Sequence, residues 1–145
     1  MAPSTMKTPG PLAVQLIAAA ILGSAGVYAV VGVVLVHLEI VKPIVEPDLS
    51  GMLGTILIIL GPLSALSSFP LRRMLMARTD GTLADKMRIT IICMSVAESA
   101  GVLGLVYAIL CGNLGPAFVL WGASLGAGIF HLPTRAWLGE DRGDK

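Results

Sequence analysis

Glu98 is the one acidic residue in a long apolar run, Ile89 to Leu110, and it falls near the middle of that run. A carboxylate in hydrocarbon costs roughly 2.5–3.5 kcal/mol even on lenient insertion scales, so an ionisable side chain there points to a functional site. On a helix, Met94, Ser95, Gly101 and Val102 lie one turn away. Ser95 is therefore the nearest polar group on the same helix and completes a candidate ion-binding pair with Glu98. No Lys or Arg lies at mid-membrane in any apolar segment. Desolvation without a counter-charge favours the neutral, protonated acid, which suits a group that loads and releases a proton. Ser24 and Tyr28 are the mid-membrane polar groups of the first apolar segment and the candidate hydrogen-bond partners of Glu98.

The same run carries a face of small residues. Thr90, Cys93, Ala97, Gly101, Gly104, Ala108 and Cys111 follow one another at spacings of 3, 4, 4, 3, 4 and 3, which places all seven along one side of a helix. Small side chains let helix backbones approach closely in lipid, where dispersion packing replaces the hydrophobic effect. The face is expected to be a tight contact with another helix, of the same chain or of a neighbouring subunit. Glu98 stands at its rim. The two cysteines, Cys93 and Cys111, are 18 residues apart on this helix. At about 27 Å they are far beyond disulfide reach and read as apolar packing residues.

The elements that position these groups are legible from hydropathy. Of 145 residues, 55% are hydrophobic and 13% charged, with a mean hydropathy of +0.86. Four apolar segments emerge at about 12–36, 49–69, 89–110 and 114–132. Pro9 and Pro11 precede the first, Pro70 stops the second, Gly112-Asn113 ends the third and Pro133 stops the fourth. Each is near the ~20 residues that cross the hydrocarbon, and no alternating strand pattern competes. The fold expected for residues 1–145 is all-α: a polytopic membrane four-helix bundle built as two hairpins, in one integral membrane domain. The apolar run after Lys7 continues to Val36, too long for a signal peptide, and is read as a retained helix.

Nine of the ten Lys and Arg residues fall on one side: Lys7 in the N-terminal tail, Arg72, Arg73, Arg78, Lys86 and Arg88 in the 71–88 loop, and Arg135, Arg142 and Lys145 in the C-terminal tail. Lys42 alone lies in the 37–48 connection. By the positive-inside rule both termini and the 71–88 loop are cytoplasmic, the protein lying in the cell (inner) membrane. The apolar residues of that loop (Met74, Leu75, Met76, Leu83 and Met87) would let it lie on the membrane surface as a short amphipathic helix or dock a partner. A weak repeat is visible, Phe69-Pro70-Leu71-Arg72 against Leu132-Pro133-Thr134-Arg135, with the prolines 63 residues apart.

The stretch Ser95-Val96-Ala97-Glu98-Ser99-Ala100-Gly101-Val102-Leu103-Gly104-Leu105-Val106-Tyr107-Ala108-Ile109-Leu110 resembles the carboxylate-bearing helix of the proteolipid (c) subunits of F- and V-type rotary ATPases. Those helices carry an Ala-Glu step followed by small residues and a Gly-Leu-Val/Ile-x-Ala pattern. The resemblance implies that Glu98 is an ion-binding carboxylate. The order of helices differs. Four-helix proteolipids carry the carboxylate on an even-numbered helix and place their termini on the non-cytoplasmic side. Across most of its length the chain resembles a set of small four-helix bacterial membrane proteins of unassigned function, which share an Ala-Glu motif in the third helix and a Pro-x-Arg ending after the fourth.

Other chemistries find little in the sequence. Net charge is +1, and no basic stripe with interleaved aromatics suggests nucleic-acid binding. His37 and His131 are placed at opposite membrane faces, as interfacial residues, and cannot share a metal. Trp137 fits the aromatic belt, and Trp121 an interface or packing role. No phosphate loop, metal-spaced set or nucleophile motif occurs, so neither an enzyme nor a cofactor is expected. The leading reading is a proteolipid-like protein that moves a proton or sodium ion at Glu98 within a homo-oligomer, among membrane lipids. The alternative is an accessory subunit of a larger membrane complex, with Glu98 bonded at a helix interface. A quinone or lipid ligand beside Glu98 stays open.

Overall fold

A computed structural model describes residues 10–134 and Trp137. The described residues form four helices: α1 (Pro11–His37), α2 (Pro47–Met76), α3 (Leu83–Cys111) and α4 (Leu114–His131). All four are long and apolar enough to cross a membrane, which makes the chain a multi-pass membrane protein. Lys7, Arg142 and Lys145 lie outside the described residues, as does Arg135 with the end of the repeat it belongs to.

Local chemistry sets most of the helix ends. Pro11 and Pro47 sit in the first turns of α1 and α2, where a missing N–H is harmless. Thr82 caps α3, its Oγ1 accepting from Asp85 N–H at 3.2 Å. Gly112 ends α3 in the left-handed conformation, φ 63°, its N–H donating to Ala108 O at 2.9 Å. The Asn113 side chain then starts α4 by accepting from Gly115 N–H at 3.0 Å.

The second and third helices run further than hydropathy indicates. Pro70 does not stop α2, which passes through both Pro62 and Pro70 to Met76. A helical proline loses one backbone hydrogen bond, and membrane helices tolerate it when packing holds the next turn. Here Arg72 holds that turn: its guanidinium donates to Phe130 O at 3.3 Å and stacks 4.8 Å from the Trp137 ring. The expected 71–88 loop is therefore mostly helix, with only residues 77–82 connecting α2 to α3. At 30 and 29 residues these helices reach about 44 Å, well beyond ~30 Å of hydrocarbon. Arg72, Arg73, Lys86 and Arg88 ride on the projecting turns.

Packing centres on α3, which contacts all three other helices. α3 and α4 form a closely packed hairpin. α1 and α2, though consecutive, flank that pair instead of packing substantially on each other. Their connection crosses the α3–α4 turn. Ile44 and Val45 N–H groups donate to Leu110 O at 2.9 and 3.2 Å. Pro43 sits on Gly112 so closely that a Cβ there would meet its ring at 2.6 Å.

All seven small residues of the α3 face are buried within the chain. They admit bulky side chains from the partner helices. Trp121 of α4 lies against Gly104 and Gly32, where an added Cβ would come within 2.8 Å and 2.7 Å of its ring, and its Nε1 donates to Gly101 O at 3.1 Å. Tyr107 lies over Gly54 of α2 and donates to Ser50 O at 3.0 Å. This face has its contact inside the monomer, so it gives no reason of its own to expect a second subunit.

Candidate functional site

Glu98 lies one residue beyond the centre of α3, and Ser24 is the central residue of α1. Parallel packing of α1 and α3 brings the two midpoints to the same level. Ser24 Oγ contacts Glu98 Oε1 directly, and Tyr28 OH, one turn along α1, donates to the same oxygen at 3.0 Å. The two groups expected as partners therefore meet the carboxyl. Ser95 does not: its side chain is exposed on α3 and makes no hydrogen bond to Glu98. Residues three apart share a helix flank but diverge by about 60° around the axis, and here Ser95 turns outward while Glu98 turns toward α1.

Ser24 has a property that the site can use. Its Oγ is also 2.5 Å from Ile21 O. A serine hydroxyl carries one proton and can serve one acceptor at a time. With Glu98 ionised, Ser24 and Tyr28 both donate to Oε1. With Glu98 protonated, the acid donates to Ser24 Oγ, and Ser24 turns its proton to Ile21 O. Both states of the carboxyl are then hydrogen-bonded without any helix moving.

The site has two sides. Outward, Glu98 borders an open groove of about 510 Å³ lined by Tyr28, Ser95, Ser99, Val102 and Leu103. The groove follows from the architecture: because α1 and α2 stand apart, a strip of α3 between them is uncovered, including Ile92, Val102, Leu103 and Val106. Inward, Glu98 borders a cavity of about 10 Å³ lined by Ile21, Leu22, Ala25, Met94, Ser124 and Gly128. Glu98 is half-buried between the two.

Hydroxyls gather at this level from every helix. Ser64 of α2 and Ser99 of α3 are 3.2 Å apart. Ser124 of α4 is buried beside the inner cavity. The sequence reading overlooked Ser64, Ser99 and Ser124. The available signal was a serine near the middle of each apolar segment, but serine is ordinary in membrane helices and its direction depends on helix rotation.

The histidines part company. His37 ends α1, whereas His131 is 1% exposed at the α2–α4 contact. His131 is thus packed inside the bundle at the end of α4. Ser68 Oγ lies 2.7 Å from its Nε2, Arg72 3.4 Å from its Nδ1, and the Phe69 ring centroid 4.8 Å from its own. Cys93 and Cys111 are both buried free thiols. Among the described residues no three His, Cys, Asp or Glu side chains gather as a metal site would require.

No protein-family model matches the chain, and no curated protein or solved structure matches it. What the site can do follows from its own groups.

Proposed function

We propose that this protein binds and releases a proton at Glu98, midway through the membrane, as the working step of proteolipid-like ion translocation. The observation that carries the reading is the pairing of Glu98 with Ser24. The carboxyl has hydrogen-bond partners in both of its protonation states, through rotation of one hydroxyl. A structural carboxyl needs satisfaction in one state only. The outward groove adds a lateral face through which the group meets the bilayer or a neighbouring subunit. A proton fits the immediate contacts of the carboxyl better than sodium does, because Ser24 and Tyr28 converge on one carboxylate oxygen as donors and do not surround a shared centre.

The protein works in an oligomer in this reading. The reason is the α3 strip between α1 and α2, where Ser95, Glu98 and Ser99 border an apolar surface that a helix of a second copy would cover. The orientation proposed is both termini cytoplasmic in a bacterial inner membrane, from the segregation of basic residues.

A hydrophobic carbodiimide tests the proton site. It reacts with protonated carboxyls inside membranes, so Glu98 is modified, the modification falls as pH rises, and sodium does not protect. An unreactive Glu98 would count against the reading, and sodium protection would replace the proton by sodium. The second reading is an accessory subunit in which Glu98 ties α3 to α1. It is favoured by the fact that both bonds to Oε1 come from the protein's own α1. It requires a one-copy stoichiometry in a larger complex and unchanged transport by that complex when Glu98 is replaced by Gln.

A further inference from the structure

Ser124 differs from four of the other serines in the apolar helices. Ser24, Ser67, Ser68 and Ser99 each donate to the carbonyl three residues earlier, at 2.5, 2.6, 2.5 and 2.7 Å. That local bond is the usual refuge of a hydroxyl in a membrane helix. Ser124 does not take it. Its Oγ points from α4 toward α3, where a Cβ on Gly101 would lie 3.0 Å away. The side chain is 2% exposed, and its oxygen has no hydrogen-bond partner among the described residues. A buried hydroxyl without a partner is rare, because its desolvation is uncompensated.

No carbonyl of the facing helix receives this hydroxyl. Gly101 O accepts from Trp121 Nε1 at 3.1 Å. What remains beside Ser124 is the inner cavity, about 10 Å³, with Glu98 on its wall. That volume is about one water-sized sphere, and a water there needs at least two polar partners. Two are present: Ser124 Oγ and the Glu98 carboxyl. The other lining side chains, Ile21, Leu22, Ala25, Met94 and Gly128, offer no hydrogen-bonding group of comparable strength. The Glu98 Oε2 atom, unlike Oε1, has no partner on α1.

We infer that Ser124 and Glu98 bind a single buried water molecule between them, on the side of the carboxyl away from the open groove. The inference rests on the proton-site reading and deepens it. This water is the inner hydrogen-bond partner of Glu98: it donates to Oε2 in both protonation states, since the protonated acid gives its one proton to Ser24 Oγ, while Ser124 fixes its position. No covalent bond forms, and the water passes its second hydrogen bond to Ser124 Oγ. Glu98 then faces a water on one side and the lateral groove on the other, and Ser124 is a positioning residue.

Infrared difference spectroscopy of the full-length protein in lipid, between acid and alkaline buffer, tests this. The carbonyl stretch of protonated Glu98 is assigned by its loss in Glu98→Gln. The expected result is a sharp water O–H stretch that changes together with that carbonyl band and shifts in ¹⁸O-labelled water. In Ser124→Ala the water band is lost and the carbonyl band moves, whereas Ser99→Ala, on the groove side, leaves the water band in place. A Glu98 carbonyl band with no ¹⁸O-sensitive partner in the wild-type protein overturns the water site and leaves the proton reading standing. Absence of any Glu98 protonation change overturns both. A band that responds to sodium at fixed pH assigns the cavity to the ion and overturns the water. The wild-type isotope shift decides even if Ser124→Ala does not fold.

Discussion

At the scale of the residue, the carboxyl of Glu98 is held by donors and not by a counter-charge. Ser24 and Tyr28 converge on one oxygen from a helix that contacts α3 along its length. Such hydrogen bonds contribute roughly 0.5–1.5 kcal/mol each, more when one partner is charged. Glu98→Gln keeps the accepting oxygen and nearly the same volume. It is expected to change the free energy of unfolding in detergent, measured by denaturant titration, by less than about 1 kcal/mol. A much larger loss would mean that the carboxyl is structural. Tyr28→Phe removes one donor and should cost about 1 kcal/mol in the same measurement. The sequence identified Glu98, Ser24 and Tyr28 as a group because each is a polar side chain at mid-depth in an apolar segment. It misdirected Ser95, since proximity along one helix does not say which way two flanks face. It could not find Ser124, whose significance arises only when α4 is rotated against Gly101.

At the scale of the element, the apolar segments were readable because helices crossing hydrocarbon must be long and apolar. Their ends were less so. Pro70 reads as a terminator until Arg72 and Trp137 are seen to hold the turn beyond it. The start of α3 was readable in principle, because Thr82-Leu83-Ala84-Asp85 has the spacing of a capping box, and Thr82 Oγ1 also donates to Asp85 Oδ2 at 2.7 Å. Thr82→Ala should cost about 1 kcal/mol and raise amide exchange in the first turn of α3. The small-residue face was found by spacing alone, and its role follows from the rings packed on it. Gly104→Val would push a side chain into Trp121, whereas Gly122 of α4 has open space around its Cα. Overpacking costs about 1–3 kcal/mol. Unfolding midpoints in detergent should therefore drop for Gly104→Val and stay near wild type for Gly122→Val. Equal midpoints would contradict the packing described for this face.

At the scale of the whole molecule, α1 and α2 flank a central α3–α4 hairpin and leave a strip of α3 uncovered at the depth of Glu98. The sequence foresaw four helices but not this arrangement, because nothing in hydropathy says that consecutive helices stand apart. The crossing of Pro43 over Gly112, and its neighbours' bonds to Leu110 O, are the local contacts that make it so. Orientation is testable on the intact cell. With Cys93 and Cys111 buried, a membrane-impermeant thiol reagent should label Lys42→Cys from outside and Thr79→Cys only after the inner face is opened. The reverse pattern would invert the proposed topology. The account turns on whether Glu98 exchanges a proton inside the folded protein in a bilayer. The chain has four glutamates, Glu39, Glu46, Glu98 and Glu140, so ¹³C-labelled glutamate gives few carboxyl resonances by solid-state NMR, and Glu98→Gln assigns the one in question. This resonance is expected to move between its protonated and ionised positions as the pH is changed and to ignore sodium. A resonance that stays fixed as the pH is changed, or follows sodium at constant pH, would contradict this reading.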